Sequence, residues 1–287
     1  MKGFVSALKA FVPKPVKDFL WQLYLGALDL TDAAARRRDM HPSRRMCFSV
    51  GDGDFKAVGL EFMHIFVEYG GLKPDDRVLD VGCGIGRMAS PLTGYLSAKG
   101  EYQGVDIVKK GVEWCQSNIT AKYPHFKFIH SDICNKKYNS HGVIQASNYK
   151  FPYENSSFDF IFLTSVFTHL LPQDMEHYLS EISRVLKIGG TCLITFFLIN
   201  EESKGLALKK MSTLNFTHEI DGYFTTTVEN PEEAIAFSEP YILGLYGQFG
   251  LSICAPIRYG SWCGRGRFLS YQDIVIARKN SGSNLPF

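Results

Sequence analysis

The chain has 287 residues, 45% of them hydrophobic and 21% charged, with a formal net charge of +2. That balance belongs to a globular protein able to bury a large core. It excludes a disordered chain and a molecule whose overall field is built for nucleic acid. The seven cysteines (Cys47, Cys83, Cys115, Cys134, Cys192, Cys254, Cys263) are scattered and form no C-x-x-C pair. Neither a disulfide framework nor a metal site is expected, and a reducing, cytoplasmic compartment is.

The first fifty residues carry nine Lys or Arg against four Asp, with apolar and aromatic residues at Phe4, Phe11, Phe19, Leu20, Trp21, Leu23, Tyr24 and Leu25. Helical spacing is predicted from Val16 to Leu30, followed by Arg36-Arg37-Arg38. Two readings of residues 1–57 stand side by side: a helical cap packed on the rest, which the periodicity favours, and a basic helix touching an anionic membrane surface. Lys9, Lys14 and Lys17 interrupt the apolar stretch, against a secretory signal, and no apolar run reaches the ~18 residues a membrane span needs.

A helix is predicted over residues 53–70, and from there strands and helices alternate. Strands are expected at Arg77–Val81, Tyr102–Asp106, Phe126–His130, Phe158–Thr164 and Thr191–Leu198. Helices are expected at Arg87–Ala98, Val108–Tyr123 and Gln173–Leu186, the last ended by Gly189-Gly190 in a left-handed cap. A polar insertion follows at residues 200–230, then a helix at Pro240–Phe249 and two strands, Leu251–Ile257 and Tyr271–Ala277, joined as a hairpin. Alternation of this kind gives an α/β fold, doubly wound, with a mostly parallel seven-stranded sheet closed by an antiparallel hairpin strand.

The chemistry centres on Asp80-Val81-Gly82-Cys83-Gly84-Ile85-Gly86-Arg87. A strand runs into glycines that let a ligand approach the backbone, and a helix starts behind them. A dinucleotide fingerprint, G-x-G-x-x-G, would need glycine where Arg87 stands. The acidic Asp80 inside the strand suits a ligand that carries an ammonium group and no pyrophosphate.

This D-x-G-x-G-x-G motif resembles the first motif of the class I, Rossmann-like S-adenosylmethionine-dependent methyltransferases. Asp106, ending the second strand, matches the acidic residue that holds the ribose hydroxyls in that family. Ser131-Asp132-Ile133 matches the position that contacts the adenine. Phe158–Ser165 resembles the fourth-strand motif, and Arg184–Gly190 the turn before the fifth strand. The resemblance covers about residues 58–280. It implies S-adenosyl-L-methionine as cofactor, held by Asp80, Gly82, Cys83, Gly84, Gly86, Asp106, Ile107, Asp132, Ile133 and Ser165. A nicotinamide-dependent oxidoreductase and a catalytically silent cofactor-binding protein are the alternatives.

An alcohol acceptor would gain from a base, and His169, just beyond the fourth strand, is the candidate; the competing reading is a histidine hydrogen-bonded at a helix start. The insertion at 200–230 is expected over the active site. Trp262, Arg265 and Arg267 are read as a wall that stacks a ring and clamps an anion, or as a plain hairpin with a buried Trp. The wall reading leads to a small-molecule, saccharide or lipid-linked glycan acceptor, with no nucleic-acid partner expected. The sequence names neither the acceptor nor the oligomeric state.

Overall fold

A computed structural model describes residues 21, 23–30, 40–49 and 53–281. Most of the basic amino-terminal segment, with Phe4, Phe11, Phe19 and Arg36 to Arg38, lies outside these, and so does its reading as a membrane contact. The chain divides into two compact units, Met1–Ala57 and Val58–Phe287. Within the first, residues 23–30 are helical and a short helix α1 spans Arg44–Ser49. The Asp29 carboxylate accepts from the backbone N–H of Arg44 at 2.7 Å, satisfying a donor that a helix start leaves unpaired.

Helix α2 (Phe55–Glu68), most of it in the second unit, leads to β1 (Arg77–Val81), β2 (Glu101–Asp106), β3 (Phe126–His130), β4 (Phe158–Leu163) and β5 (Leu186–Phe196). Near the C-terminus lie β10 (Leu251–Ile253) and β11 (Asp273–Lys279). These strands form one seven-stranded sheet in the order β3-β2-β1-β4-β5-β11-β10. Pairing is parallel from β3 to β5, and β11 runs antiparallel to both β5 and β10, as the alternation of elements predicts. Phe158, Phe160, Ile161, Phe162 and Leu163 of β4 are buried, the continuous apolar run that a strand covered on both faces requires. Strand order reverses beside β1, so the carboxyl ends of β1 and β4 flank the crevice where open α/β sheets hold ligands.

The helices depart from the expected lengths for local reasons. Behind the glycine loop only Ala89–Leu92 (α3) is α-helical. From Thr93 the backbone tightens into i→i−3 bonds, Gly94 to Pro91 and Tyr95 to Leu92. Helix α4 (Lys109–Cys115) continues as a π-turn, Gln116–Thr120, where Gln116, Asn118 and Thr120 side chains donate to the carbonyls of Phe128, Trp114 and Phe126. Helix α5 (Pro172–Val185) buries Met175, Leu179, Ile182 and Val185 along one stripe. The glycine cap predicted for it is corrected. The helix stops at Val185, Leu186 is already extended, and Gly189 (φ 75°) lies inside β5. There Phe158 pairs with Leu186 and Phe160 with Thr191, so Lys187 to Gly190 bulge out, held by Lys187 Nζ on the Asp159 carboxylate at 2.7 Å.

The polar insertion at 200–230 carries secondary structure of its own. Asn200 caps helix α6 (Glu201–Leu208) in a reciprocal capping box with Ser203. β7 (His218–Ile220) and β8 (Tyr223–Thr225) form a hairpin over Asp221-Gly222, both at positive φ. With β6 (Leu198–Ile199) and β9 (Ile235–Ser238) they make a second sheet, β6-β9-β8-β7. Phe197, Ile199, Ala236, Trp262 and Cys263 form a small core of their own, joined by Leu206, Leu214, Phe216 and Phe224. Helix α7 (Glu239–Gln248) then carries the chain to β10. No helix among the described residues is long and apolar enough to cross a membrane.

Candidate active site

The glycine loop is shaped by its backbone. Gly82, Gly84 and Gly86 all have left-handed φ (89°, 54° and 74°), a region costly for any side chain. A Cβ on Gly82 would lie 2.3 Å from Val166 Cγ2, and one on Gly86 would lie 2.7 Å from Ile119 Cδ1. The loop is thus pressed between the turn after β4 and the π-turn after α4. Gly82 and Cys83 both donate to the Val105 carbonyl at the end of β2 (2.8 and 3.1 Å). The Cys83 side chain is buried against Gly104, which leaves only its backbone for a ligand, and burial holds its thiol well above the usual range.

Asp106 ends β2 and clamps the loop: one carboxylate oxygen accepts from Gly84 N and the other from Val108 N, each at 2.6 Å. Burial raises its pKa, and these backbone donors oppose the rise. Each oxygen keeps a second lone pair for a diol. Ile107 follows it half-buried, its carbonyl accepting from His130 Nε2 at 3.2 Å. Asp80 is buried beneath the loop and accepts from the Tyr102 hydroxyl. Its other oxygen, Oδ1, is buried with no partner among the described residues. Burial pushes this carboxyl up to about 8, against the Tyr102 hydrogen bond. An orphaned carboxylate oxygen beneath a glycine loop fits a cationic ammonium, the charge S-adenosylmethionine would bring there.

At the end of β3, Asp132 Oδ1 accepts from Asn139 Nδ2 at 3.1 Å and its carbonyl from Val143 and Ile144 N. Ile133 is buried and bridges to Ile144. Ser165 follows β4 exposed, in the left-handed region at φ 60°, uncommon for a residue with a side chain. These residues therefore gather at the carboxyl edge on both sides of β1. Two groups that pattern reading missed belong here. Gly111 of α4 comes so close to the loop that a Cβ would meet the Gly84 carbonyl at 2.5 Å, and Tyr102 supplies the Asp80 hydrogen bond. A glycine inside a predicted helix is a visible signal for the first; nothing in the sequence pairs the second.

His169 is held differently from a poised base. Its Nδ1 sits 2.8 Å from the Glu232 backbone carbonyl, which can only accept, so Nδ1 carries the proton. Nε2 faces the Tyr138 hydroxyl at 3.5 Å, and the two rings meet edge to face. Burial, reinforced by the Lys137 charge, pushes the imidazole down to about 4. Of the two readings of His169, this geometry is that of a buried, neutral histidine tying the turn after β4 to the turn before β9.

The aromatic and basic wall is corrected too. Trp262 is buried against Phe197 and Phe216, and its Nε1 donates to Asp273 at 2.7 Å. Arg265 is buried and spends its guanidinium on Asp273, Glu202, Asn200 and the Gly260 carbonyl, lying over the Tyr259 ring. Asp273 also accepts from Leu198 N and Gly260 N, both at 2.7 Å. These groups fasten the 260–271 loop from inside and present no anion clamp; only Arg267 of the three is exposed. No cluster of metal-ligating side chains occurs among the described residues.

Residues 79–194, from β1 into β5, match the model of a methyltransferase domain. Among curated relatives, the chain is 28% identical over 137 residues to the tRNA N(3)-cytidine methyltransferase METTL2 of Gallus gallus, covering 45% of this chain and 32% of that protein. It is 28% identical over 149 residues to the sterol 24-C-methyltransferase ERG6B of Gibberella zeae, covering 50% and 33%. The chain thus spans about a third of the length of these relatives. The solved structure of the PH0226 protein from Pyrococcus horikoshii OT3 superposes with a TM-score of 0.55 at 15% identity, over 80% of this chain and 93% of that one.

This sheet order, with a D-x-G-x-G-x-G loop at its switch point, defines a class I methyltransferase fold. The matched domain, residues 79–194, is similar to those of the S-adenosylmethionine-dependent methyltransferases, whose cofactor is S-adenosylmethionine.

Proposed function

We propose that this protein methylates a neutral hydroxyl of a small-molecule or saccharide acceptor. The observation that carries this reading is the neutral polar edge beside the loop. The turn bearing the exposed Ser165 hydroxyl is packed directly on Gly82 through Val166, and Thr195 and Gln272 adjoin it. When bound, S-adenosylmethionine would supply a sulfonium methyl carbon to which the acceptor oxygen bonds as the C–S bond breaks, the bond's electrons leaving with sulfur and the hydroxyl proton passing to solvent.

In this reading Gly82, Cys83, Gly84 and Gly86 receive the methionine part through their backbone, Asp80 faces its ammonium, Asp106 and Ile107 hold the ribose, and Asp132 and Ile133 flank the adenine. Ser165 stands beside the methyl group. His169 keeps its turn in place and takes no proton. The lipid-linked variant of the acceptor loses its main support with the burial of Trp262 and Arg265. Because the relatives' names include tRNA cytidine and sterol enzymes, nucleic acid returns to the acceptor classes under test, against the expectation from net charge.

Incubation with methyl-labelled S-adenosylmethionine and extract of the source cells, followed by fractionation, tests the acceptor. Label in the saccharide or small-molecule fraction, stable to base as an ether, is the expected result. Label in RNA would overturn it.

A further inference from the structure

We infer that Gln272, which no motif marks, is an acceptor-positioning residue whose side-chain amide donates to the hydroxyl oxygen receiving the methyl group. The ligand class rests on the hydroxyl-acceptor reading above; the placement of the amide does not.

Gln272 lies just before β11, in the strand position next to the carboxyl end of β5. Three hydrogen bonds seat its amide oxygen beside Ser165 and Thr195. The Ser165 backbone N–H donates to Thr195 Oγ1 at 2.8 Å, so the Thr195 hydroxyl hydrogen is left to donate elsewhere. It donates to Gln272 Oε1 at 2.6 Å, and the Ser165 hydroxyl donates to the same oxygen at 3.1 Å. In this arrangement both hydroxyls donate to Oε1, so the oxygen end of the amide faces them.

The Nε2 end is consequently turned away from the ring of bonds. It makes no hydrogen bond among the described residues, yet it is not among the buried polar atoms left without a partner, so it reaches solvent. The amide oxygen touches Ser165, whose chain neighbour Val166 packs on Gly82 of the glycine loop. The exposed Ser165 hydroxyl, its hydrogen engaged, still offers a lone pair on the same edge. A fixed donor beside a fixed acceptor is the complement of a hydroxyl group, which accepts through oxygen and donates through hydrogen. It suits a protonated amine poorly, since Nε2 has nothing to accept with. The pair also holds no charge, so it orients the nucleophile and does not deprotonate it. The left-handed φ of Ser165 is the local strain that aims this hydroxyl.

The decisive variant is Gln272→Glu. It keeps an oxygen for Ser165 and Thr195, replaces the Nε2 donor with an acceptor and adds a negative charge. Methyl transfer from labelled S-adenosylmethionine to the acceptor fraction should fall about 10- to 100-fold, the usual consequence of losing one well-placed hydrogen bond to a reacting group. The loss should concentrate in the KM for the acceptor fraction, with S-adenosylhomocysteine affinity within about twofold of wild type and an unchanged melting temperature. Gln272→Asn, which keeps an amide donor but shortens its reach, should lose less than Gln272→Glu. Transfer by Gln272→Glu at the wild-type rate would overturn the inference. So would a loss matched by an equal loss of S-adenosylhomocysteine affinity, which a merely structural role would give. The fraction that takes label in the wild type judges the hydroxyl reading separately, because the fold-loss in the variant is measured on whichever fraction that is.

Discussion

The two ends of the crevice are built on different principles. At the cofactor end, under β1, β2 and β3, the working groups are backbone amides released by glycine and two carboxylates at strand ends. At the far end, between β5 and β11, side chains do the work and most of them face inward: Trp262, Arg265 and Asp273 are all buried and satisfied by one another. The first design is local in sequence, because a strand, a tight turn and a strand end recur at short, fixed separations. The second joins Leu198 and Gly260 to Asp273, and Asn200 and Glu202 to Arg265, across long stretches of chain, and composition alone gives no sign of whether an arginine there meets solvent or a carboxylate.

The contrast can be broken most forcefully at Asp273. Asp273→Ala would leave the Arg265 guanidinium, the Trp262 Nε1–H and two backbone N–H groups buried without their acceptor. Removing one partner of a buried ion pair costs about 3–5 kcal/mol, and the melting temperature should fall accordingly. S-Adenosylhomocysteine affinity, measured well below the transition, should stay near wild type. A melting temperature within a degree of wild type would mean that the inward network does not hold this end together.

A smaller effect sharpens the comparison at His169. With the folded imidazole near 4 and the unfolded one near its ordinary 6.5, the unfolded state binds the extra proton between those values. The contribution is therefore fully present above about pH 6.5 and drains away as pH falls toward 4. His169→Gln can still donate to the Glu232 carbonyl and takes up no proton, so its melting temperature should gain on wild type steadily as pH is lowered through that window. Its methyl transfer at pH 7.5 should remain within a few-fold of wild type. A variant that folds, binds S-adenosylhomocysteine and transfers nothing would restore the base role.

Legibility followed the same division. Arg77–Val81 and Phe126–His130 fall where hydrophobic runs place them, and the parallel pairing of the first five strands follows from alternation. The second sheet was readable in principle. Asn200-x-x-Ser203 is a capping signature and Asp221-Gly222 a hairpin turn, but the polar residues between them masked the short apolar strands. Gly189-Gly190 misled because a glycine pair after a helix usually caps it, whereas here the Lys187–Asp159 pair and the β4 register turn the same glycines into a bulge. The burial of Trp262 and the bonding of Gln272 depend on partners that pattern reading cannot pair.

The central claim is that the loop from Gly82 to Gly86, clamped by Asp106, is a site for S-adenosylmethionine. Calorimetric titration with S-adenosylhomocysteine, and separately with NAD, tests it on wild type and Asp106→Ala. Saturable binding of S-adenosylhomocysteine, weakened about 10- to 100-fold in the variant, with no heat from NAD, is the predicted result. Binding of NAD without S-adenosylhomocysteine, or an affinity untouched by Asp106→Ala, would contradict it.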